Sequence, residues 1–259
     1  MSWLLTEEDG PVRWLTINRP ERRNAIPFEG WPDLRDAFLD FERSDARILI
    51  LSGAGGDFCS GADLDQTKAA DMVSVADRHA RMKLVHDTAI ALHRSTKPTI
   101  AAVDGVAVGA GMNLALGCDV VVATERARFS EIFVRRGLSL DSGGTWLLPR
   151  VVGLQRAKEL ALSGRIIGAE EAVDIGIAIE VVAHEALADR ARELAESFLK
   201  GAPVAQMFVK QGLDAAFESS FEESISWETQ SQAIAFATED VSEGIAAFLQ
   251  KRQPNWKGK

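Results

Sequence analysis

A chain of 259 residues, 46% hydrophobic and 26% charged, is long enough for one large domain, or a domain with a smaller appendage, around a buried core. Its formal net charge of −9, with no Lys/Arg-rich run, argues against a nucleic-acid partner, whose phosphates it would repel. Two cysteines without CxxC spacing, Cys59 and Cys118, exclude a disulfide scaffold and read as reduced thiols of a cytoplasmic protein.

The N-terminal segment turns acidic at Glu7-Glu8-Asp9, unlike a secretory signal or a transit peptide. No apolar stretch approaches the roughly 20 residues of a membrane span, so no membrane partner is expected. Val12–Asn18 is the first predicted strand. Phe28–Glu42 follows as a helix that places Trp31, Leu34, Phe38 and Phe41 on one face. A second strand, Ile48–Ser52, runs into a glycine-rich turn at 53–64, and Asp71–His93 reads as one long helix or two. The strand Thr99–Val103 leads through Gly109-Ala110-Gly111 into a helical pattern at Met112–Gly117. Strands Val120–Ala123 and Ile177–Val182 and helices Leu154–Ser163 and Ala169–Asp174 complete the alternation. Short Val/Ile-rich strands alternating with helices predict an α/β layered core with buried strands over residues 1–200. Beyond it, Val204–Phe217, Phe221–Thr238 and Val241–Gln250 read as helices. Their surplus of apolar side chains (Phe217, Phe221, Ile225, Trp227, Ile234, Phe236) suits an oligomerisation region at 201–259, or equally a cover for the chain's own core.

A glycine-framed turn between a strand and a helix points free N–H groups and the positive end of a helix dipole at one spot. Gly109-x-Gly111 has Leu114 where GxGxxG needs its third glycine, and GxxxxGK[ST] is absent, so a dinucleotide or P-loop site is not expected. The earlier turn at Ser60-Gly61-Ala62 offers a second set of N–H groups. Two such turns converging on one oxygen would form an oxyanion hole.

These motifs carry a resemblance. Asn18-Arg19-Pro20 with Asn24-Ala25, Phe58-Cys59-Ser60-Gly61-Ala62-Asp63-Leu64, Lys97–Gly105, Gly109-Ala110-Gly111, Gly143-Gly144-Thr145 and Glu243–Arg252 fall in the order of the crotonase (enoyl-CoA hydratase/isomerase) superfamily. The resemblance implies an α/β spiral of ββα units with a C-terminal helical trimerisation region, assembled as a homotrimer or dimer of trimers. It implies an acyl-CoA thioester substrate, CoA being part of the substrate, with no separate cofactor. By motif position, the N–H groups of Ala62 and Ala110 would grip the thioester oxygen, and Ser60, Asp63, Leu64, Gly109 and Phe133 would surround the ligand. Arg22 and Arg23 are candidates for the CoA phosphates, and Phe248 and Lys251 for CoA contacts, commonly from an adjacent subunit. Asp65 stands where many hydratases carry a CoA-contacting lysine.

Hydratases of this family carry two glutamates. Here the corresponding positions hold Asn113 and Phe133, neither of which can act as a base. Glu131 is two positions from Phe133 and would share its side on a strand but not on a helix. Asp141 is left as the candidate acid/base. Its position before Gly143-Gly144 also suits a helix N-cap, but the resemblance favours catalysis. Asp141-Ser142-Gly143-Gly144-Thr145-Trp146-Leu147-Leu148-Pro149-Arg150 is most similar to the 2-(1,2-epoxy-1,2-dihydrophenyl)acetyl-CoA isomerase branch. One aspartate suffices to move a proton along a conjugated system, whereas hydration must also position and split water. Burial beside Leu138, Leu140 and Phe133 would raise its pKa. An enoyl-CoA hydratase and a non-catalytic acyl-CoA-binding protein are the alternatives.

His79, His86 and His93 recur every seven residues. Seven helical residues rise about 10.5 Å, too far to share one ion at bonds of about 2 Å. No metal site is expected there, only a partly exposed helix face, and His184 is expected at the surface.

Overall fold

The computed structural model describes residues 2–64 and 74–259. Strands β1 (Leu4–Asp9), β2 (Val12–Ile17), β3 (Ile48–Gly53), β4 (Thr99–Val103), β6 (Val120–Thr124) and β9 (Glu180–Val182) form one sheet in the order β1-β2-β3-β4-β6-β9. β1 and β2 are an antiparallel hairpin, and every other pairing in this sheet is parallel. Strands β5 (Val106–Val108), β7 (Arg128–Ser130) and β8 (Ile167–Gly168) form a second, smaller sheet.

The period of two along each strand sorts side chains onto two faces. Leu15, Ile17, Leu49, Leu51, Ala101, Val103, Val121 and Ala123 enter the larger core. There they meet Trp31, Leu34, Phe38 and Phe41 of helix α1 (Trp31–Arg43) and Val85 and Leu92 of α2 (Val75–His93). The alternate residues Val12, Ile48, Ile50, Ile100, Ala102 and Val122 pack against Ala191 and Ala195 of α7 (Leu187–Leu199). A sheet covered on both faces explains why its parallel strands are almost wholly apolar.

Helix α3 (Ala110–Leu116) is buried along its whole length. Helices α4 (Gly144–Val152), α5 (Leu154–Ser163) and α6 (Ala169–Asp174) follow. The chain then runs through α8 (Pro203–Ala215), α9 (Phe221–Phe236) and α10 (Glu239–Leu249). Phe217, Phe221, Ile234, Phe236 and Phe248 are all exposed. No helix among the described residues is long and apolar enough to cross a membrane.

Several elements depart from the sequence reading. Phe28–Gly30 is a separate 3-10 turn ahead of α1. Only Glu180–Val182 of the predicted strand Ile177–Val182 is extended, because Ile177 and Ala178 donate their N–H groups back to the carbonyl of Ala172 and turn the chain. The start of the predicted helix Asp71–His93 lies outside the described residues, as does Asp65. Ser74 opens α2 with a capping box: its hydroxyl accepts from the N–H of Asp77, whose carboxylate accepts from the Ser74 N–H.

Candidate active site

The two glycine turns are stitched together by the main chain. Cys59 pairs with Ala107 in a parallel bridge: the Cys59 N–H donates to Val106 O (2.8 Å) and the Val108 N–H to Cys59 O (3.0 Å). Gly111, in the first turn of α3, lies directly over the Cys59 carbonyl with no room for a Cβ. Gly61 carries φ +91°, which an L side chain resists, and a Cβ there would press on Val108 O and touch the Ala110 nitrogen. The glycines therefore let the 59–61 turn approach the start of α3 closely.

The direction of the Ala62 N–H follows from a second bridge. Ile26 donates to Gly61 O (2.8 Å) and accepts from the Asp63 N–H (2.8 Å). In a parallel bridge the intervening residue turns its own N–H away, so the Ala62 N–H faces away from Ile26. Ala110 is the first residue of α3, where N–H groups lack intrahelical acceptors. Among the described residues, neither the Ala62 nor the Ala110 N–H has an acceptor.

The end of β7 and the segment after it pack at Gly109. The Gly109 N–H donates to Ser130 O (2.8 Å), and the Phe133 ring packs at Gly109. Phe133 is buried in a 3-10 turn, Ile132–Arg136. One helical turn beyond Ala110, Asn113 is buried. Its Nδ2 donates to the carbonyl of Asp141 (2.9 Å) and reaches Glu131 Oε2 at 3.5 Å. The bare Cα of Gly144 lets this amide approach, since a Cβ would stand 2.6 Å from Asn113 Nδ2. Asn113 thus ties the Asp141 turn to the helix that begins at Ala110.

Asp141 is not the N-cap of α4. Gly143 holds that place without a side-chain cap, and the Gly144 N–H bonds the Asp141 main-chain carbonyl (2.9 Å). The carboxylate is left to accept from the Ser142 hydroxyl (2.9 Å). Burial raises its pKa, while the Ser142 hydrogen bond and the charge of His86 pull the other way. Leu140 is half-buried beside it, but Leu138 is exposed and does not desolvate it. Asp141 lies in the wall of a cavity of about 810 Å³ shared with His86, Ile90, Trp146 and Asp214.

The other sequence candidates divide. Ser60 adjoins the turns and bonds the loop of Arg22 and Arg23, its N–H donating to Arg23 O (3.0 Å). Asp63 is buried, its carboxylate gripped by Arg19 (3.0 Å) and Arg22 (2.9 Å). Arg23 and Leu64 are exposed near the turns. Phe248 and Lys251 are exposed at the end of α10. His79 and His86 are exposed and His93 half-buried, with His93 packed edge-on against Trp146 (4.9 Å). No group of metal-ligating side chains occurs among the described residues.

The sequence reading missed the placement of Glu131, which is buried against Asn113 with its Oε1 lacking a hydrogen-bond partner among the described residues. Burial and the negative charge of Asp141 push its pKa up to about 8. A carboxylate residue inside Phe129-Ser130-Glu131-Ile132-Phe133 was the only signal, and it did not say where the side chain points.

Comparison with known proteins identifies the family. Residues 7–259 match the enoyl-CoA hydratase/isomerase family model. The chain is 38% identical to the 1,2-epoxyphenylacetyl-CoA isomerase of Escherichia coli K12, covering 100% of both chains. It is 37% identical to a probable enoyl-CoA hydratase of Rhodobacter capsulatus, covering 95% of this chain and 94% of that one. The crystal structure of an enoyl-CoA hydratase/isomerase from Cupriavidus metallidurans superposes with a TM-score of 0.91 at 39% identity, over 100% of this chain and 97% of that one. The crystal structure of an enoyl-CoA hydratase from Bacillus anthracis gives 0.94 at 30% identity over the full length of both. With its α/β crotonase fold and its paired glycine turns, the chain belongs to the enoyl-CoA hydratase/isomerase family.

Proposed function

We propose that this protein is an acyl-CoA isomerase that shifts a double bond with Asp141 as its proton carrier. The observation that carries this reading is the tether of Asp141 to the α3 helix start: Asn113 holds its main chain at 2.9 Å, while the carboxylate escapes capping and gains proton affinity from burial. In this reading the N–H groups of Ala62 and Ala110 bind the thioester oxygen and polarise the carbonyl. The Asp141 carboxylate takes a proton from the carbon next to the conjugated system. The C–H electron pair moves into a dienolate whose charge rests on the thioester oxygen. The new carboxylic acid then returns the proton two carbons along, and the double bond has moved with no net gain or loss of atoms.

Asn113 and Phe133 support isomerisation over hydration, since an amide and a phenyl ring cannot activate water at the two positions where hydratases of the family carry carboxylates. The hydratase names of several relatives favour the second reading, an enoyl-CoA hydratase. Incubation with a 2-enoyl-CoA and, separately, a 3-enoyl-CoA decides. Conjugated product from the 3-enoyl ester supports isomerisation, and a 3-hydroxyacyl product from the 2-enoyl ester supports hydration. Binding of both esters with no turnover would make the chain a non-catalytic acyl-CoA binder. Exposed aromatic side chains on and beside α8, α9 and α10 support assembly of the 201–259 region into a trimer or a dimer of trimers, which light scattering would size.

A further inference from the structure

Glu131 is a buried carboxyl group that the Asp141 mechanism leaves unused. It sits at the end of β7, where φ −83° and ψ 64° turn the chain into the 3-10 helix. That turn sends Phe133 toward Gly109 and Glu131 toward Asn113. Asn113 lies between two carboxyl-bearing residues: its Nδ2 bonds the main chain of Asp141 (2.9 Å) and reaches the Glu131 carboxyl (3.5 Å). Glu131 is 1% exposed, and its Oε1 has no hydrogen-bond partner among the described residues. An ionised carboxylate so placed is disfavoured, so this site favours the neutral carboxylic acid.

We propose that Glu131 and Asp141 form a coupled carboxyl pair joined through Asn113, in which Glu131 is a positioning residue that sets the proton affinity of Asp141. The pair rests on the isomerase reading only for its catalytic meaning. While Glu131 is neutral, Asp141 can cycle between carboxylate and acid in step with the substrate. Once Glu131 ionises, a second negative charge stands beside Asp141, which then holds its proton more tightly and returns it to the dienolate more slowly.

His86, from α2, is a basic group facing Asp141. Besides His86, the cavity at Asp141 is lined by His93 and Arg94 from the end of α2, by Asp214 of α8 and by Glu218 beyond it. Arg135, on the 3-10 turn, directs its Nε to the carbonyl of Ser163 (2.9 Å), and Arg136 is exposed. From the end of α5, Gly164 contributes only its carbonyl, to the Ser130 hydroxyl (3.0 Å). No described cation pairs with the Glu131 carboxylate.

Two measurements on the full-length protein test the pair. The first is infrared titration of the protonated carboxyl stretch, which needs no turnover. A band lost near pH 8, absent from Glu131→Gln and moved to lower pH in Asp141→Asn, is the expected result. A Glu131 band that titrates in the ordinary carboxylate range, or one that Asp141→Asn does not move, overturns the proposal. The second is the pH profile of kcat/KM for the double-bond shift. The wild-type protein should lose activity on an alkaline limb near pH 8 that Glu131→Gln abolishes, and an unchanged limb in the variant would sink the idea. If no double-bond shift is found at all, the isomerase reading fails while the infrared result still decides whether the carboxyls are coupled.

Discussion

The Cα of Gly111 rests against the carbonyl of Cys59 so closely that a Cβ would overlap the carbonyl oxygen. This contact is main chain on main chain, so neither partner can swing aside. Gly111→Ala must therefore push α3 away from the Cys59 strand and part the N–H groups of Ala62 and Ala110. A cost of about 1–3 kcal/mol is expected for such overpacking, visible as a Tm lowered by several degrees. The turnover loss should be larger than the stability loss implies, at about 10²-fold, the scale for one lost oxyanion donor. Tm and kcat/KM both at wild-type values would refute the proposed role of the two turns.

Asp141→Asn keeps the shape of the side chain and removes its ability to carry a proton. A fall in kcat of about 10²–10⁴-fold is expected for loss of a general acid–base group. Binding of a non-reactive acyl-CoA should change little, because the carboxylate is not a proposed anchor for CoA. Calorimetric binding alongside single-turnover kinetics separates the two. Retained turnover would move the proton chemistry to another residue.

The buried carboxyls also leave a mark on stability. Glu131, raised from 4.5 to about 8, and Asp141, raised in the same direction, hold protons in the folded state that the unfolded chain releases. The unfolded state thus binds fewer protons between these values, and stability falls as pH rises through that window. Below about 4.5 the penalty is absent, and above about 8 the Glu131 contribution is complete. Glu131→Gln removes that contribution, so the Tm of the variant minus that of wild type should climb from pH 5 to pH 8 and then level off. A difference that stays constant with pH would show that Glu131 ionises normally in the fold.

Asp63 is held by one partly buried and one more exposed guanidinium, with Arg19 and Arg22 side chains 16% and 40% exposed. Breaking a buried pair by removing one partner costs about 3–5 kcal/mol, and Asp63→Asn should approach that range in urea denaturation. Arg22→Ala should cost less than about 1 kcal/mol, as for exposed pairs. Equal losses in the two variants would mean that burial does not distinguish the pairs.

What could be read from the sequence depended on how much of each element is buried. β4 was legible because all five of its residues are buried and all but Thr99 are apolar. β1 was not, because Thr6-Glu7-Glu8-Asp9 form an exposed sheet edge with no hydrophobic alternation. β7 and β8, of three and two residues, are too short to show any period. α4 hid behind Gly143-Gly144, which reads as a turn, and carries Pro149 inside. α7 buries only alanines deeply, Ala191 and Ala195, and alanine marks a face weakly. At the candidate site, the glycine turns and Asp141 stood out because their residue types suit the proposed chemistry. Glu131 was not, because its meaning comes from Asn113, 18 residues earlier in the chain.

The bridge between Ile26 and Ala62 has an evolutionary consequence. If the thioester is gripped by Ala62 and Ala110, the grip is written in strand register rather than in any functional group. No codon change can delete an amide hydrogen except one that introduces proline. In the proposed reaction the side chains around the proton, at 113, 131, 133 and 141, come from three further segments: α3, the 3-10 turn after β7, and the loop before α4. Such a chain can acquire a new reaction by exchanging a few side chains while the means of holding the substrate is inherited intact.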